Sequence, residues 1–220
     1  AKAIAAAAAM NTPDGFGPWL LDDKPVTAAL PVVAIPTTAG SGTEINCHGT
    51  LTDTASGQKR LFRSPLLYPA LAIVDPELTL TVPPRQTAYQ GFDAFFHAAE
   101  GYISRNHNPI SDLYALEAMR LLYKYLPVAV ADGTNRWARI KVAWAATLAG
   151  MVNATAGCTG QHALEHAMSA MRPKLPHGAG LIALSNAYFK VFKNDVMKRY
   201  MKMAEKIRQV KSARPSDFLD

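Results

Sequence analysis

Strand-like patterning stops at Pro83-Pro84, and this break constrains the fold more than any other feature of the chain. Before it lie short apolar runs with branched residues, bounded by prolines and glycines. After it come long stretches with apolar residues at three- and four-residue spacing. Ala1 to Met10 is nearly pure helix former and stops at the breaker cluster Asn11-Thr12-Pro13-Asp14-Gly15. Pro31 to Pro36 suits a buried parallel strand, because it is short, branched and apolar throughout. Ile45–Leu51, Arg60–Phe62 and Leu71–Val74 are further strand candidates, with Asp53–Gly57 as a hairpin turn. From Arg85 onward helices are expected at roughly 86–104, 109–124, 134–154, 158–170, 178–193 and 195–210. Asn108–Asp112 and Asp132–Asn135 supply breaks and caps, and Pro173–Pro176 a loop. The expected architecture is an α/β portion over 1–84 followed by an all-α portion over 85–220.

Hydrophobic residues make up 49% of the 220 and charged residues 18%, enough apolar surface for a full core and too much for bulk disorder. The longest uncharged apolar stretch, Val142–Val152, is too short to span a bilayer. The opening AKAIAAAAAM is too short and too alanine-rich for a secretion signal, so neither membrane nor export is expected. Two cysteines, Cys47 and Cys158, lie far apart with no C-x-x-C pair. That excludes a disulfide framework or a zinc site built from cysteines and points to a reducing cytoplasm. Net charge is +6, but it divides into −2 over residues 1–84 and +8 over 85–220. The bases between Lys190 and Arg214 accompany apolar residues at 189, 192, 196, 200, 203 and 207, the spacing of an amphipathic helix with a solvated basic face. No aromatic or Gly-rich RNA motif goes with that charge, so nucleic acid is not an expected partner.

Three segments carry candidate chemistry. In GFDAFFHAAE, Asp93 and His97 stand four apart and share one helix face, beside an apolar stripe of Phe92, Phe95, Phe96, Ala99 and Ile103. His162 and His166 repeat that spacing in HALEH, and His177 lies in a loop at the mouth of the next helix. One carboxylate and three imidazoles (Asp93, His97, His162 and His177) suit Fe(II) or Zn(II) better than Mg(II) or Ca(II), if the three pieces converge. A hydrogen-bonded surface pair accounts for either helical spacing alone. Glu100, three past His97, fits either a hydrogen bond to a ligand imidazole or a salt bridge to a neighbouring helix. Separately, PTTAGSGTE follows the first strand and offers hydroxyls and free backbone N–H groups where a nucleotide can sit, though it matches neither G-x-G-x-x-G nor a P-loop. His48 and His107 read as structural, and Trp137 and Trp144, seven apart, as core.

The ordered set IPTTAGSGTE, DPELT, GFDAFFHAAEGYIS, HALEH and PHG resembles the iron-containing (group III) alcohol dehydrogenases, from Ala1 to about residue 193. Each motif is weak alone; the combination is specific. The resemblance implies a nucleotide-binding α/β part, a helical part, and a metal in the cleft between them. It implies Asp93, His97, His162 and His177 as metal ligands, and Thr37, Thr38 and Ser41 at the cofactor, with Lys59 and Leu78 lining the same site. His166, one turn beyond His162, is read either in a proton-relay or substrate-orienting role or as a supporting residue with no direct part. The implied activity is hydride transfer between a small alcohol or aldehyde and NAD or NADP, with Fe(II) or Zn(II) as Lewis acid for the substrate oxygen. A homo-oligomer is implied by resemblance only. The family's Gly-rich turn precedes an A-K-A-I-A-like helix, whereas this sequence opens on that helix; the expectation is a fragment lacking that turn and the end of the helical part. The step from His162 to His177 is also one residue longer than the family's usual spacing. Three other readings stand beside this one: a metal-dependent hydrolase using the same ligands to activate water, a maleylacetate-reductase-like enzyme, and a catalytically silent assembly unit. Asp93 in its G-x-D setting favours a metal-using alcohol dehydrogenase over a maleylacetate reductase.

Overall fold

The structure is a computed structural model and describes residues 1–12, 15–17, 24–54 and 56–208. Helix α1 (Lys2–Met10) owes its form to the alanine run and ends at Asn11, whose left-handed backbone (φ 50°, ψ 56°) stops it at the expected breaker. Pro13 and Asp14 of that cluster lie outside the described residues. Two small sheets follow. In one, β1 (Val33–Ala34) pairs in parallel with β4 (Leu71–Ala72); in the other, β2 (His48–Thr52) and β3 (Lys59–Arg63) form an antiparallel hairpin. Asp53 and Gly57 make the turn, with Gly57 at φ +70° as such a corner requires.

The parallel strand expected within Pro31–Pro36 is present, but its burial is only partial, with Val32 buried. Val33, Ile35 and Leu71 are each half exposed. A parallel strand reads as continuously apolar only where both faces are covered.

Beyond Pro83 the chain is helical: α2 (Pro84–Ile103), α3 (Pro109–Ala131), α4 (Arg136–Ala156), α5 (Gln161–Met171), α6 (His177–Val191) and α7 (Met197–Arg208). Asn108 caps α3 by accepting from the backbone N–H groups of Ile110 and Ser111, and Ser111 accepts in return from the Asn108 backbone N–H. Helix α3 runs seven residues past the expected end at 124, straight through Pro127. The proline sits on the exposed face, where water can satisfy the carbonyl it leaves unbonded, while buried Leu126 and Ala129 hold the last turn to the core.

Small residues let α2, α3 and α4 approach closely: Ala94, Ala98, Ala115, Ala118, Ala145 and Ala149 are all fully buried in one core. That alanine seam overturns the expectation for the tryptophans. Trp137 and Trp144 are 57% and 49% exposed, since the buried face of α4 is taken by Ala138, Val142, Ala145 and Ala149 and leaves no room for an indole. Lys141 instead places its ammonium 4.1 Å from the Trp137 ring centre. On α7, Tyr200, Met203 and Ile207 are buried while Lys198, Lys202 and Lys206 face solvent, as the spacing predicts. No helix among the described residues is long and apolar enough to cross a membrane.

The loop after β1 is tied down by a lysine of α1. Lys2 is buried, and its ammonium donates to the backbone oxygens of Thr43, Asn46 and His48 and to Asn46 Oδ1, at 2.6–3.0 Å. Asn46 in turn donates to the carbonyls of Ser41 and Gly42 at 3.1 and 2.8 Å. Gly42 (φ +57°) meets Gly150 of α4 backbone to backbone; a Cβ on Gly42 would lie 2.9 Å from the Gly150 nitrogen and 3.1 Å from the Ala146 oxygen.

Candidate active site at the junction of α2, α5 and α6

Asp93 and His97 project from the same face of α2, one turn apart, as their spacing requires. His162 stands at the start of α5 and His177 at the start of α6. The fold brings all four together. Oδ1 of Asp93 lies 3.2 Å from Nε2 of His162, 3.5 Å from Nε2 of His177 and 3.6 Å from Nδ1 of His97. The His97 and His162 rings stack at 4.3 Å with 16° between their planes. Ligand-type atoms of Asp93, His162 and His177 all fall within 4.8 Å of one another.

Two glycines allow α6 to enter this junction. A Cβ on Gly178 would sit 2.7 and 2.8 Å from the carbonyl carbon and Cα of Tyr89 on α2, and closer still to the Tyr89 oxygen. A Cβ on Gly180 would lie 2.8 Å from Cγ and Oε1 of Glu165 on α5. The H-G-A-G sequence thus wedges the first turn of α6 between two neighbours, and His177 goes with it.

The imidazoles are held by carboxylates on their far sides. Nδ1 of His162 is 2.8 Å from Oε1 of Glu100, which is fully buried. Glu100 also accepts from the backbone N–H groups of Thr159, Gly160 and His162 at 2.7, 2.9 and 3.0 Å. That resolves its two sequence readings in favour of the imidazole bond. Nδ1 of His177 bonds Oε2 of Glu165, another fully buried carboxylate, which also accepts from Ser169. Such pairs fix the ring orientation and leave Nε2 of both His162 and His177 facing Asp93. Glu165 was not singled out in the sequence. Its signal was available: an acid inside H-x-x-x-H, three residues from His162, lies on the same side of the helix.

Burial opposes charge on Asp93, but the imidazoles overcome it: His97 by proximity, and His162 and His177 by hydrogen bonds, hold its carboxyl well below the usual range. Desolvation lowers His97 to about 4, so that ring is neutral at physiological pH. Its Nδ1 is buried and has no hydrogen-bond partner among the described residues. Desolvation also opposes charge on His177, but its bonds to Asp93 and Glu165 raise its pKa. His166, one turn beyond His162, is half-buried with its ring centre 5.4 Å from that of His177. Burial first, then nearby His177 and Lys59, bring it down to about 4.

The remaining candidates divide. Thr37, Thr38 and Ser41 are exposed on the turn after β1. That turn touches the cluster through Gly40, where a Cβ would lie 3.2 Å from Oδ2 of Asp93 and 3.0 Å from the Gln90 oxygen. Lys59, at the start of β3, reaches α5: its ammonium is 3.7 Å from Oε2 of Glu165. Leu78 is 42% exposed on the short 3-10 turn Pro76–Thr79. His107 pairs with Asp112 at 3.3 Å beside the N-terminus of α3, and His48 contributes its backbone oxygen to Lys2. Cys47 and Cys158 are free thiols.

Residues 87–219 match the C-terminal model of the Fe-containing alcohol dehydrogenase family, and residues 1–76 match the iron-containing alcohol dehydrogenase model. The chain is 39% identical over 156 residues to the NAD-dependent methanol dehydrogenase of Bacillus methanolicus, covering 71% of this chain and 40% of that protein. Among solved structures, sulfoacetaldehyde reductase from Bifidobacterium kashiwanohense in complex with NAD+ superposes with a TM-score of 0.87 at 34% identity, over 99% of this chain and 58% of that one. An iron-containing alcohol dehydrogenase from Thermotoga maritima superposes with a TM-score of 0.84 at 34% identity, over 100% of this chain and 58% of that one. The chain spans about half or less of the length of the curated relatives it matches. With a sheet-containing part, a helical part and both family models in the same order along the sequence, this chain belongs to the iron-containing alcohol dehydrogenase family.

Proposed function

We propose that this chain carries the metal centre and part of the nucleotide cleft of an NAD(P)-dependent alcohol dehydrogenase acting on a small alcohol or aldehyde. One observation supports it above the others. Asp93, His162 and His177 offer an oxygen and two Nε2 atoms to a common point, while His97 brings a buried Nδ1 that no protein group satisfies. A buried imidazole nitrogen without a partner costs free energy that a bound cation removes. The donor set of one carboxylate and three imidazoles fits Fe(II), and equally Zn(II).

A cation held by Asp93, His97, His162 and His177 would supply Lewis-acid polarisation of a substrate oxygen, for hydride exchange with a nicotinamide. The chain's own residues set the geometry for this. Side-chain exposure falls between 8% and 12% for His97, His162 and Asp93 but reaches 30% for His177, so the centre opens on the His177 side. His166 flanks that opening as a neutral imidazole and orients the substrate hydroxyl by hydrogen bonding; a ring with its pKa near 4 is a weak proton acceptor. Thr37, Thr38 and Ser41 would offer hydroxyls to the cofactor on a turn whose Gly40 abuts Asp93. Lys59 balances the charge of Glu165, and the exposed Leu78 is assigned apolar surface for the cofactor.

The test combines metal binding with turnover. The metal-loaded chain should change nicotinamide absorbance with a short alcohol or aldehyde and lose that response to a chelator. Cofactor-independent hydrolysis would contradict the reading. Glu100→Gln should weaken metal binding about 10–100-fold, because it removes the carboxylate that raises the basicity of His162. Equal metal affinity in wild type and Glu100→Gln would count against His162 as a ligand.

A further inference from the structure

Cys158 lies beside the cluster and the proposed chemistry does not use it. Gly157, at φ +70°, turns the chain off α4, and the Cys158 thiol then makes a long contact of 3.6 Å to Oδ1 of Asn153 and interacts with the His162 ring. A ring nitrogen of His97, the Cys158 sulfur and a ring nitrogen of His162 all lie within 4.8 Å of one another. A second observation comes from His97, which is more than nine-tenths buried and whose Nδ1 has no hydrogen-bond partner among the described residues. His162 belongs both to this trio and to the Asp93–His162–His177 trio, and its Nδ1 is bonded to Glu100.

We propose that His97, Cys158 and His162 form an alternative coordination set that takes thiophilic divalent cations and excludes the Asp93–His162–His177 set when filled. The sequence argued against a site built from cysteines alone; the fold supplies a mixed one, with a single sulfur and two imidazoles. Soft cations favour such a set over a carboxylate and imidazoles. On binding, the sulfur–metal bond forms and the thiol proton leaves to solvent, with no electron transfer. A thiophilic cation therefore competes with Fe(II) by drawing His162 to a different partner. The inference rests on the reading of His97 and His162 as metal-competent groups, and the test separates the two claims.

Cd(II) is titrated into the metal-free full chain, with thiolate-to-metal charge-transfer absorption as the readout. Co(II) ligand-field bands serve as an independent report on the Asp93–His162–His177 set. The expected result is a charge-transfer band saturating at one equivalent of Cd(II), unchanged in Cys47→Ser, lost in Cys158→Ser and Cys158→Ala, and suppressed by excess Co(II). Cys158→Ser should keep the Co(II) bands of wild type, which also shows that it is folded. A charge-transfer band that survives Cys158→Ser, or is missing from wild type that still binds Co(II), overturns this inference alone. Failure of wild type to bind either ion overturns the ligand reading as well.

Discussion

Replacing His162 with alanine is expected to cost more than about a hundredfold in metal affinity while leaving a folded protein. The loss must exceed that of a supporting group, since changing such a group alone costs about 10–100-fold. His162 is the hub of the cluster: it faces Asp93 at 3.2 Å, stacks on His97 at 4.3 Å and anchors to Glu100 at 2.8 Å. Removing one member of a buried charged pair is normally severe, because the other is stranded. Here Glu100 keeps three backbone N–H donors, from Thr159, Gly160 and residue 162 itself, none of which depends on the imidazole. The stability loss should therefore stay near 1–2 kcal/mol. Isothermal titration with Fe(II) or Co(II) and a urea midpoint measure the two quantities separately. A metal affinity within tenfold of wild type would remove His162 from the centre.

Gly178→Ala should do the opposite, damaging stability first and the centre through it. The added methyl would fall against the Tyr89 backbone of α2, 2.7 Å from its carbonyl carbon, and backbone cannot swing aside as a side-chain tip can. Forced overpacking of this kind costs about 3 kcal/mol, or a fall in Tm of roughly 6–12 °C for a chain of this size. Relief comes only if the start of α6 moves away from α2, carrying His177 from Asp93, so metal affinity should fall at least about tenfold. Gly17→Ala, where a Cβ meets nothing within 4 Å, is the matched control and should change neither quantity. An unchanged Tm in Gly178→Ala would mean that α6 does not seat on α2 as described.

Helix positions and the face shared by Asp93 and His97 were legible in the sequence, since periodicity and caps are local signals that the packed helices reinforce. Three features were not. The extension of α3 through Pro127 depends on which face of the helix meets water, and that is decided by tertiary packing. The exposure of Trp137 and Trp144 depends on the spacing between α4 and its neighbours, set by alanines far apart in sequence. The exposure of Val33 and Leu71 depends on what covers β1 and β4, which an apolar run cannot report. The meeting of His162 and His177 with Asp93 was suggested by motif order, but spacing held no information on distance. Glu165 and Cys158 were visible as residue types beside the histidines; their part in the cluster became visible only once α5 and its preceding turn were placed against α2.

The most direct measurement is anomalous diffraction at the metal absorption edge from crystals of the iron- or zinc-loaded chain. The account predicts one strong peak bonded to Asp93, His97, His162 and His177, at about 2.0–2.2 Å from each ligand atom. A peak held by fewer than three of these residues, or lying elsewhere on the molecule, would contradict it.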